Sequence, residues 1–223
     1  LRGNWQPGWQ ALPTTLEAGL DAQWQDNQSQ RYRTVARVRS AQLRDWDYDL
    51  RTRGAYVQAM LKPTERLQLV PGYRIDRVDG ELRDLRAGIT APSYDYGTIK
   101  QPKFSASYRF AGQSSAYANW GRTFQIGTGD GAYRRQPGNL GPSINDGWEA
   151  GFKFAPTAVL DGRLAYWEQR ASGEVATILG VNGVAGVGDV ANVGRTLRRG
   201  WDAQLNLQPV SYTHLTLPTT PYV

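Results

Sequence analysis

Residues 16–25 read LEAGLDAQWQ, and in this stretch every even position is apolar while every odd position is small or polar. The same period of two recurs in GAYVQAML at 54–61, in GWEAGFKF at 147–154 and in GWDAQLNL at 200–207. Because successive side chains of a β-strand point to opposite faces of its sheet, each stretch predicts a strand with one apolar and one wet face. No stretch sustains a helical period, so the sequence predicts an all-β protein.

The alternation predicts eight strands. Their lengths bracket the roughly 9–11 residues that a tilted strand needs to cross a bilayer. The predicted strands lie near 15–26, 48–61, 66–78, 101–110, 115–125, 147–155, 158–168 and 194–208.

The connections between these strands alternate between short and long. Segments 62–65, 111–114 and 156–157 are predicted to be tight turns. A soluble β-sandwich shares the alternation of side chains, but loops as long as the other connections are uncommon in compact domains. Short periplasmic turns and long extracellular loops are typical of an outer-membrane β-barrel, so we predict an antiparallel transmembrane barrel. The long polar segments that we interpret as loops are 27–47, 79–100, 126–146 and 169–193.

Aromatic residues are unusually frequent, with 8 Trp and 12 Tyr in 223 residues. In a membrane barrel such residues form girdles at the two interfaces, whereas in a soluble sheet they would serve ordinary packing. Those that fall on the predicted apolar faces near strand ends are Trp24, Tyr73, Phe110, Trp120, Tyr166 and Trp201.

Charge and composition exclude several classes of function. The net charge of +6 comes mainly from arginines that alternate with acidic residues instead of forming one patch, so no nucleic-acid partner is predicted. The absence of cysteine removes thiolate metal sites and thiol nucleophiles. The single histidine, His214, leaves serine nucleophiles without a base. We therefore predict no catalytic residue, no metal site, no cofactor and no enzyme activity.

Five short motifs, in this order along the chain, resemble the strands of TonB-dependent outer-membrane receptors. The resemblance covers residues 15 to about 208, and Asp202 stands where the family usually has Glu. The motifs are Tyr56-x-Gln58, Gly72-x-Arg74-x-Asp76, the strand at 116–124, Glu149-x-Gly151-x-Lys153, and the segment 192–202 with its Asn-x-Gly and Gly-Trp-Asp.

The resemblance implies a 22-strand barrel around an N-terminal plug domain, in the outer membrane of a Gram-negative bacterium. Such receptors take up scarce metal chelates, commonly ferric siderophores, with energy from the TonB complex. The implied partners are outer-membrane lipids and lipopolysaccharide, a small-molecule chelate, and the TonB complex, which acts through the plug region. An alternative is a passive diffusion porin, whose lumen charges would set ion selectivity.

The chain is expected to supply only part of such a receptor. We interpret residues 1–209 as about eight strands of the barrel domain, without the plug, the TonB box or the closing strand. Residues 210–219 read VSYTHLTLPT, which resembles a translated sequencing adapter. We therefore expect 210–223 to be a non-native tail, and His214 with it.

Ligand contacts are expected in the predicted loops and at their edges. A ferric chelate is often anionic, and arginine with aromatic side chains suits such a ligand by charge and by stacking. The alternative for these residues is contact with lipopolysaccharide phosphates or with neighbouring loops. The candidates are Arg31, Tyr32, Arg33, Trp46, Tyr48, Tyr94, Tyr96, Tyr133, Arg134 and Arg135.

Overall fold

The computed structural model describes residues 1–8, 12–93, 96–126, 141–157, 159–177 and 190–207. Within these residues the ordered elements are strands, and no helix is long and apolar enough to cross a membrane. The strands are β1 (Arg2–Trp5), β2 (Thr14–Val35), β3 (Val38–Leu61), β4 (Leu67–Asp84), β5 (Ile89–Pro92), β6 (Thr98–Ala111), β7 (Ser114–Gln125), β8 (Ser143–Thr157), β9 (Leu160–Thr177) and β10 (Val190–Leu207).

All of the described strands belong to one antiparallel sheet. Its order is β1-β2-β3-β4-β6-β7-β8-β9-β10, and β5 pairs with the far end of β4. Each strand therefore pairs with its neighbours along the chain, in an open meander. The predicted all-β antiparallel architecture is confirmed, and the eight predicted strands correspond to β2, β3, β4 and β6–β10.

Within the described residues, the predicted long loops are wrong over much of their length, whereas residues 127–140 and 178–189 of the predicted loops lie outside the described part. β2 and β3 remain paired from Thr14↔Leu61 to Val35↔Val38, so the segment predicted as the loop 27–47 is a strand hairpin. β4, β8 and β9 also extend well past their predicted ends. The reason is that backbone hydrogen bonds continue where both faces of a strand are wet, and there the apolar alternation that marks a strand in sequence disappears.

The turn between β2 and β3 consists of two residues in the left-handed region. Ala36 has φ 47° and Arg37 has φ 67°. Positive φ at both central residues matches the right-handed twist of the flanking strands, but Asn-Gly or Asp-Gly is the usual sequence there. Ala-Arg carries no such signal, which explains why the sequence gives no indication of this turn.

The register separates an apolar face from a polar face. Leu20 lies opposite Ala55, and Ala55 lies opposite Ile75 on the next strand, so apolar residues form rows across the sheet. Many side chains of this face are largely exposed, with Leu20 at 59% and Trp201 at 69%. A contiguous exposed apolar surface of this kind marks contact with another apolar phase or partner.

An aromatic row crosses the apolar face of β7 to β10. Trp120 lies opposite Trp148, and Tyr166 lies opposite Trp201. The Tyr166 ring centroid is 5.4 Å from that of Trp148 and 5.0 Å from that of Trp201, with tilted planes. These contacts agree with the expected interfacial girdle, to which the structure adds Trp148.

The polar face carries a small apolar cluster near the long-hairpin end of the sheet. Leu50, Val78 and Ile99 are buried there, and Tyr96, in the connection from β5 to β6, packs against them. The Ser93 amide donates to the Gly80 carbonyl oxygen at 2.8 Å and holds this connection against β4. The cluster anchors the chain where β4 changes partner from β6 to β5.

Candidate functional site

The polar face holds a charged network centred on Arg74. Its guanidinium donates to both carboxylate oxygens of Asp21, at 2.7 and 2.9 Å, and its Nε donates to Asp76 at 2.7 Å. Gln101 donates a further hydrogen bond to Asp76, whose side chain is 1% exposed. A Cβ at Gly54 would overlap with the Arg74 guanidinium, so glycine is required there for the network to form.

A second network lies beside it, around Glu17. The Tyr56 hydroxyl donates to one carboxylate oxygen at 2.9 Å, and Arg2 and Gln58 donate to the other at 2.6 and 3.3 Å. The Tyr56 ring lies over Gly19, where a Cβ would overlap with the ring. The single glycine of β2, which stands between Glu17 and Asp21 on the polar face, thus has a steric cause.

A third network joins β7, β8 and β9. The Tyr117 hydroxyl donates to Glu149 at 2.7 Å, and Arg163 donates to the same hydroxyl and to Glu149, at 2.6 and 2.5 Å. The Lys153 ammonium lies 5.3 Å from the centroid of the Tyr117 ring. Gly151 provides the space under the Tyr117 hydroxyl.

Four of the five motifs quoted from the sequence contribute residues to these three networks, and the segment 192–202 contributes none. Each motif places two or three polar groups, or one polar group and a glycine, at a spacing of two along one strand, so they share a face. Cross-strand pairing then brings together groups that are far apart in sequence, such as Asp21 and Arg74. The motifs therefore encode the hydrogen-bonded polar wall of the sheet.

The hairpin of β2 and β3 carries a concentrated positive charge at its tip. Residues 31–44 contain five arginines and no acidic residue. The candidates Arg31 and Arg33 are both exposed, and Arg31 lies opposite Arg44 in register. Because cross-strand partners share a face, Arg31 and Arg44 point to the polar side of the sheet.

Trp46 is held rigidly beside these arginines. The Arg44 guanidinium lies 4.6 Å from the centroid of its ring. The indole Nε1 donates to Asp84 at 3.0 Å. The other oxygen of Asp84 accepts from the amides of Arg86 and Ala87, both at 3.0 Å. The Ala87 amide, together with Trp46 and the Arg86 amide, lowers the pKa of Asp84 below that of a free aspartate.

The remaining candidates divide into three groups. Tyr32 donates to Gln30 at 3.2 Å, and the Arg39 guanidinium lies 4.7 Å from its ring centroid. Tyr48 and Tyr96 belong to the apolar cluster and its margin, and Tyr96 is only 8% exposed. Tyr94, Tyr133, Arg134 and Arg135 lie outside the described residues, as does the 210–223 tail.

The structure adds three residues that the sequence did not single out. Arg44 and Arg39 each stack on a candidate aromatic ring, and Asp84 fixes Trp46. A signal for Asp84 was present, because Asp followed by a short turn ending in Gly88 is the usual sequence of a side-chain-capped turn. Nothing comparable marked the two arginines, since their contacts depend on the cross-strand register.

Comparison with known proteins identifies the family. The family model described as TonB dependent receptor-like, beta-barrel, matches residues 1–222. The chain belongs to this family. Because TonB-dependent receptors are transporters, the prediction that the protein is not an enzyme is confirmed. No curated protein matches the chain.

Solved structures of similar fold agree with this assignment. One is the ferric citrate transporter FecA in its unliganded form, with TM-score 0.73 and 16% identity over 92% of this chain and 30% of that one. Another is the alcaligin outer-membrane receptor FauA from Bordetella pertussis, with TM-score 0.63 and 20% identity over 94% and 35%. P. aeruginosa FpvA, bound to a pyoverdine–Fe complex, has TM-score 0.67 and 19% identity over 94% and 29%. The chain spans about a third of the length of these structures.

Proposed function

We propose that the chain forms part of the barrel wall of a receptor in the outer membrane of a Gram-negative bacterium. The receptor takes up a ferric siderophore or a similar metal chelate, with energy from TonB. Family membership over residues 1–222 is the observation that carries this proposal. The similar structures named for ferric citrate, alcaligin and a pyoverdine–Fe complex support the class of ligand.

The two faces of the sheet support the location. In a barrel wall the exposed apolar face contacts lipid, and the polar face with its three networks contacts the lumen. The long hairpins then extend beyond the membrane on the extracellular side, and the tight turns at 62–66 and 112–113 lie on the periplasmic side. Outer-membrane lipids and lipopolysaccharide are the partners that this orientation implies.

The hairpin tip supports an anionic chelate. A dense group of arginines attracts anions to the receptor surface and accelerates their encounter. Arg31 and Arg33 are exposed for this role, and the Trp46 ring, with Tyr32 nearby, offers a rigid aromatic surface for stacking. We propose these residues, with Tyr48, as ligand contacts on this hairpin, and Tyr94, Tyr96, Tyr133, Arg134 and Arg135 as contacts from the neighbouring connections.

Uptake by the full-length protein tests the function. Cells in which this protein is the only route for iron would be given ⁵⁵Fe as ferric citrate, as a ferric catecholate and as a ferric hydroxamate. We expect at least one chelate to accumulate only when TonB is present. Equal accumulation without TonB would identify a passive pore, and failure of all three chelates would contradict the assignment to iron chelates.

Substitution at the hairpin tests the proposed contacts. Arg31→Gln with Arg33→Gln should weaken binding of the transported chelate by roughly tenfold, the effect of losing about 1.4 kcal/mol of charge-assisted contacts. Arg66→Gln with Arg109→Gln removes the same charge at the opposite end of the strands, and we expect no change in affinity. Equal effects of the two pairs would argue for nonspecific attraction and against a contact site at the hairpin.

A further inference from the structure

The upper edge of the apolar band becomes cationic on three adjacent strands, over two successive positions of the same face. Ala55 and Ile75 are in register, and Lys100 lies opposite Ile75 on β6. Two residues further from the tight turns, on the same face, Arg53 lies directly opposite Arg77. All three cationic residues are exposed and belong to strands that are paired on both sides. We refer to Arg53, Arg77 and Lys100 as the basic cluster.

On β7 to β9, the charged residues at the same edge of the apolar band form ion pairs with one another. Beyond the aromatic row, Arg122 makes a two-point contact with Asp146, at 2.8 and 3.1 Å. Arg170 pairs with Glu168 at 2.8 Å. On β7 to β9 the charges that border the apolar band are thus mixed in sign and neutralise one another.

The basic cluster has no such neutralising partner within the described residues. The neighbouring carboxylate of Asp49 lies 3.5 Å from Arg51 and 3.8 Å from Arg83, and no ion pair joins Asp79 to a member of the cluster. Like charges directly opposite each other on paired strands repel, so an anion between Arg53 and Arg77 would relieve an unfavourable contact.

We propose that the basic cluster binds the phosphate groups of lipid A, the glycolipid of the outer leaflet. This inference rests on the proposed outer-membrane location. The cluster lies on the lipid side of the sheet, about 33 Å along β4 from Leu67 at the periplasmic end. Acyl chains then lie against the apolar band below it, next to Ile75 and Tyr73.

The chemistry of the cluster fits a phosphate monoester at an interface. Each of the two arginines can donate two parallel hydrogen bonds to a phosphate group, and the lysine adds a point charge. The exposed Thr98, opposite Arg77 in register, adds a hydroxyl donor at the same level. The placement at the edge of hydrocarbon distinguishes this site from the hairpin arginines, which lie far outside the membrane.

Titration with lipid A tests the proposal in the purified full-length protein. The ligands would be lipid A, dephosphorylated lipid A, phosphatidylglycerol and inorganic phosphate, with binding followed by native mass spectrometry in detergent. Arg53→Gln with Arg77→Gln should weaken lipid A binding about thirtyfold, the loss expected for two surface cations. Arg53→Lys with Arg77→Lys should recover part of the affinity.

The control is Arg37→Gln with Arg39→Gln, which removes the same charge at the hairpin tip and should leave lipid A affinity unchanged. The variants and the parent protein should bind dephosphorylated lipid A with equal affinity. Equal lipid A affinity in the Gln pair and the parent would overturn the site. Tighter binding of phosphatidylglycerol or of free phosphate than of lipid A would overturn the choice of ligand. Because no transported chelate is involved, these outcomes are independent of the uptake experiment.

Discussion

Phe152→Arg in the full-length receptor should lower the free energy of unfolding by about 2–4 kcal/mol. Phe152 lies on the apolar face of β8, is 56% exposed, and is flanked in register by Ala116 on β7 and Leu164 on β9. The aromatic row lies on one side of it and the short turn on the other, so it sits well inside the band. An arginine there would bring its charge into hydrocarbon, where its register neighbours Ala116 and Leu164 offer it no partner.

The adjacent residue provides the control. Lys153 points to the polar face, where the residue is exposed and its ammonium lies over the Tyr117 ring. Lys153→Ala should therefore cost no more than about 1 kcal/mol, the value of an exposed cation–π contact. Denaturant titration of each variant folded into lipid vesicles gives the two free energies. Similar losses for the two substitutions would mean that the faces have been assigned the wrong way round.

Arg74→Met should cost about 3 kcal/mol, the lower end of the range for breaking a buried ion pair from one side. The lower end applies because the Arg74 side chain is itself 31% exposed, while Asp76 is almost fully buried. Without the guanidinium, the Asp76 carboxylate keeps only the hydrogen bond from Gln101, and Asp21 loses both of its contacts with Arg74.

Two further variants define the origin of that loss. Asp76→Asn in the Arg74→Met background removes the uncompensated charge, so the double variant should be more stable than Arg74→Met alone. Arg66→Met changes an exposed arginine at the end of the 62–66 turn, and the free energy of unfolding should stay within about 0.5 kcal/mol of the parent value. If Arg74→Met and Arg66→Met behaved alike in the same denaturant titration, the network would have no role in stability.

The sequence predicts the strands best where the membrane and the lumen impose different chemistries. In 16–25 and 54–61 one face is apolar and the other is polar, so the period of two is visible. Further along, in 27–35 and 38–47, both faces are wet, and the strand continues without any periodic signal. The hairpin turn at Ala36-Arg37 gives no signal either, because its residues are not those that such turns usually contain.

The polar wall is predictable in part and the hairpin surface hardly at all. The motifs identify Tyr56, Arg74 and Glu149 individually, but their partners on other strands depend on a register that no local pattern contains. Stacking of Arg44 on Trp46 depends on the same register. The two cationic sites differ in depth and in face: Arg31 and Arg44 lie on the polar side of the hairpin, whereas the basic cluster borders the apolar band on the opposite side.

The alternation of lipid-facing and lumen-facing residues along β6 and β7 is the most direct test of the account. Single cysteines can be placed in a cysteine-free version of the full-length receptor, with little change in size, at Ser105, Ala106, Ser107 and Ala118. Ala106 lies opposite Ala118 on the apolar face, whereas Ser105 and Ser107 lie on the polar face. We expect a charged, water-soluble thiol reagent to label positions 105 and 107 quickly, and fluorophores at 106 and 118 to be quenched by spin-labelled lipid. Equal labelling and equal quenching at all four positions would contradict a membrane-spanning wall.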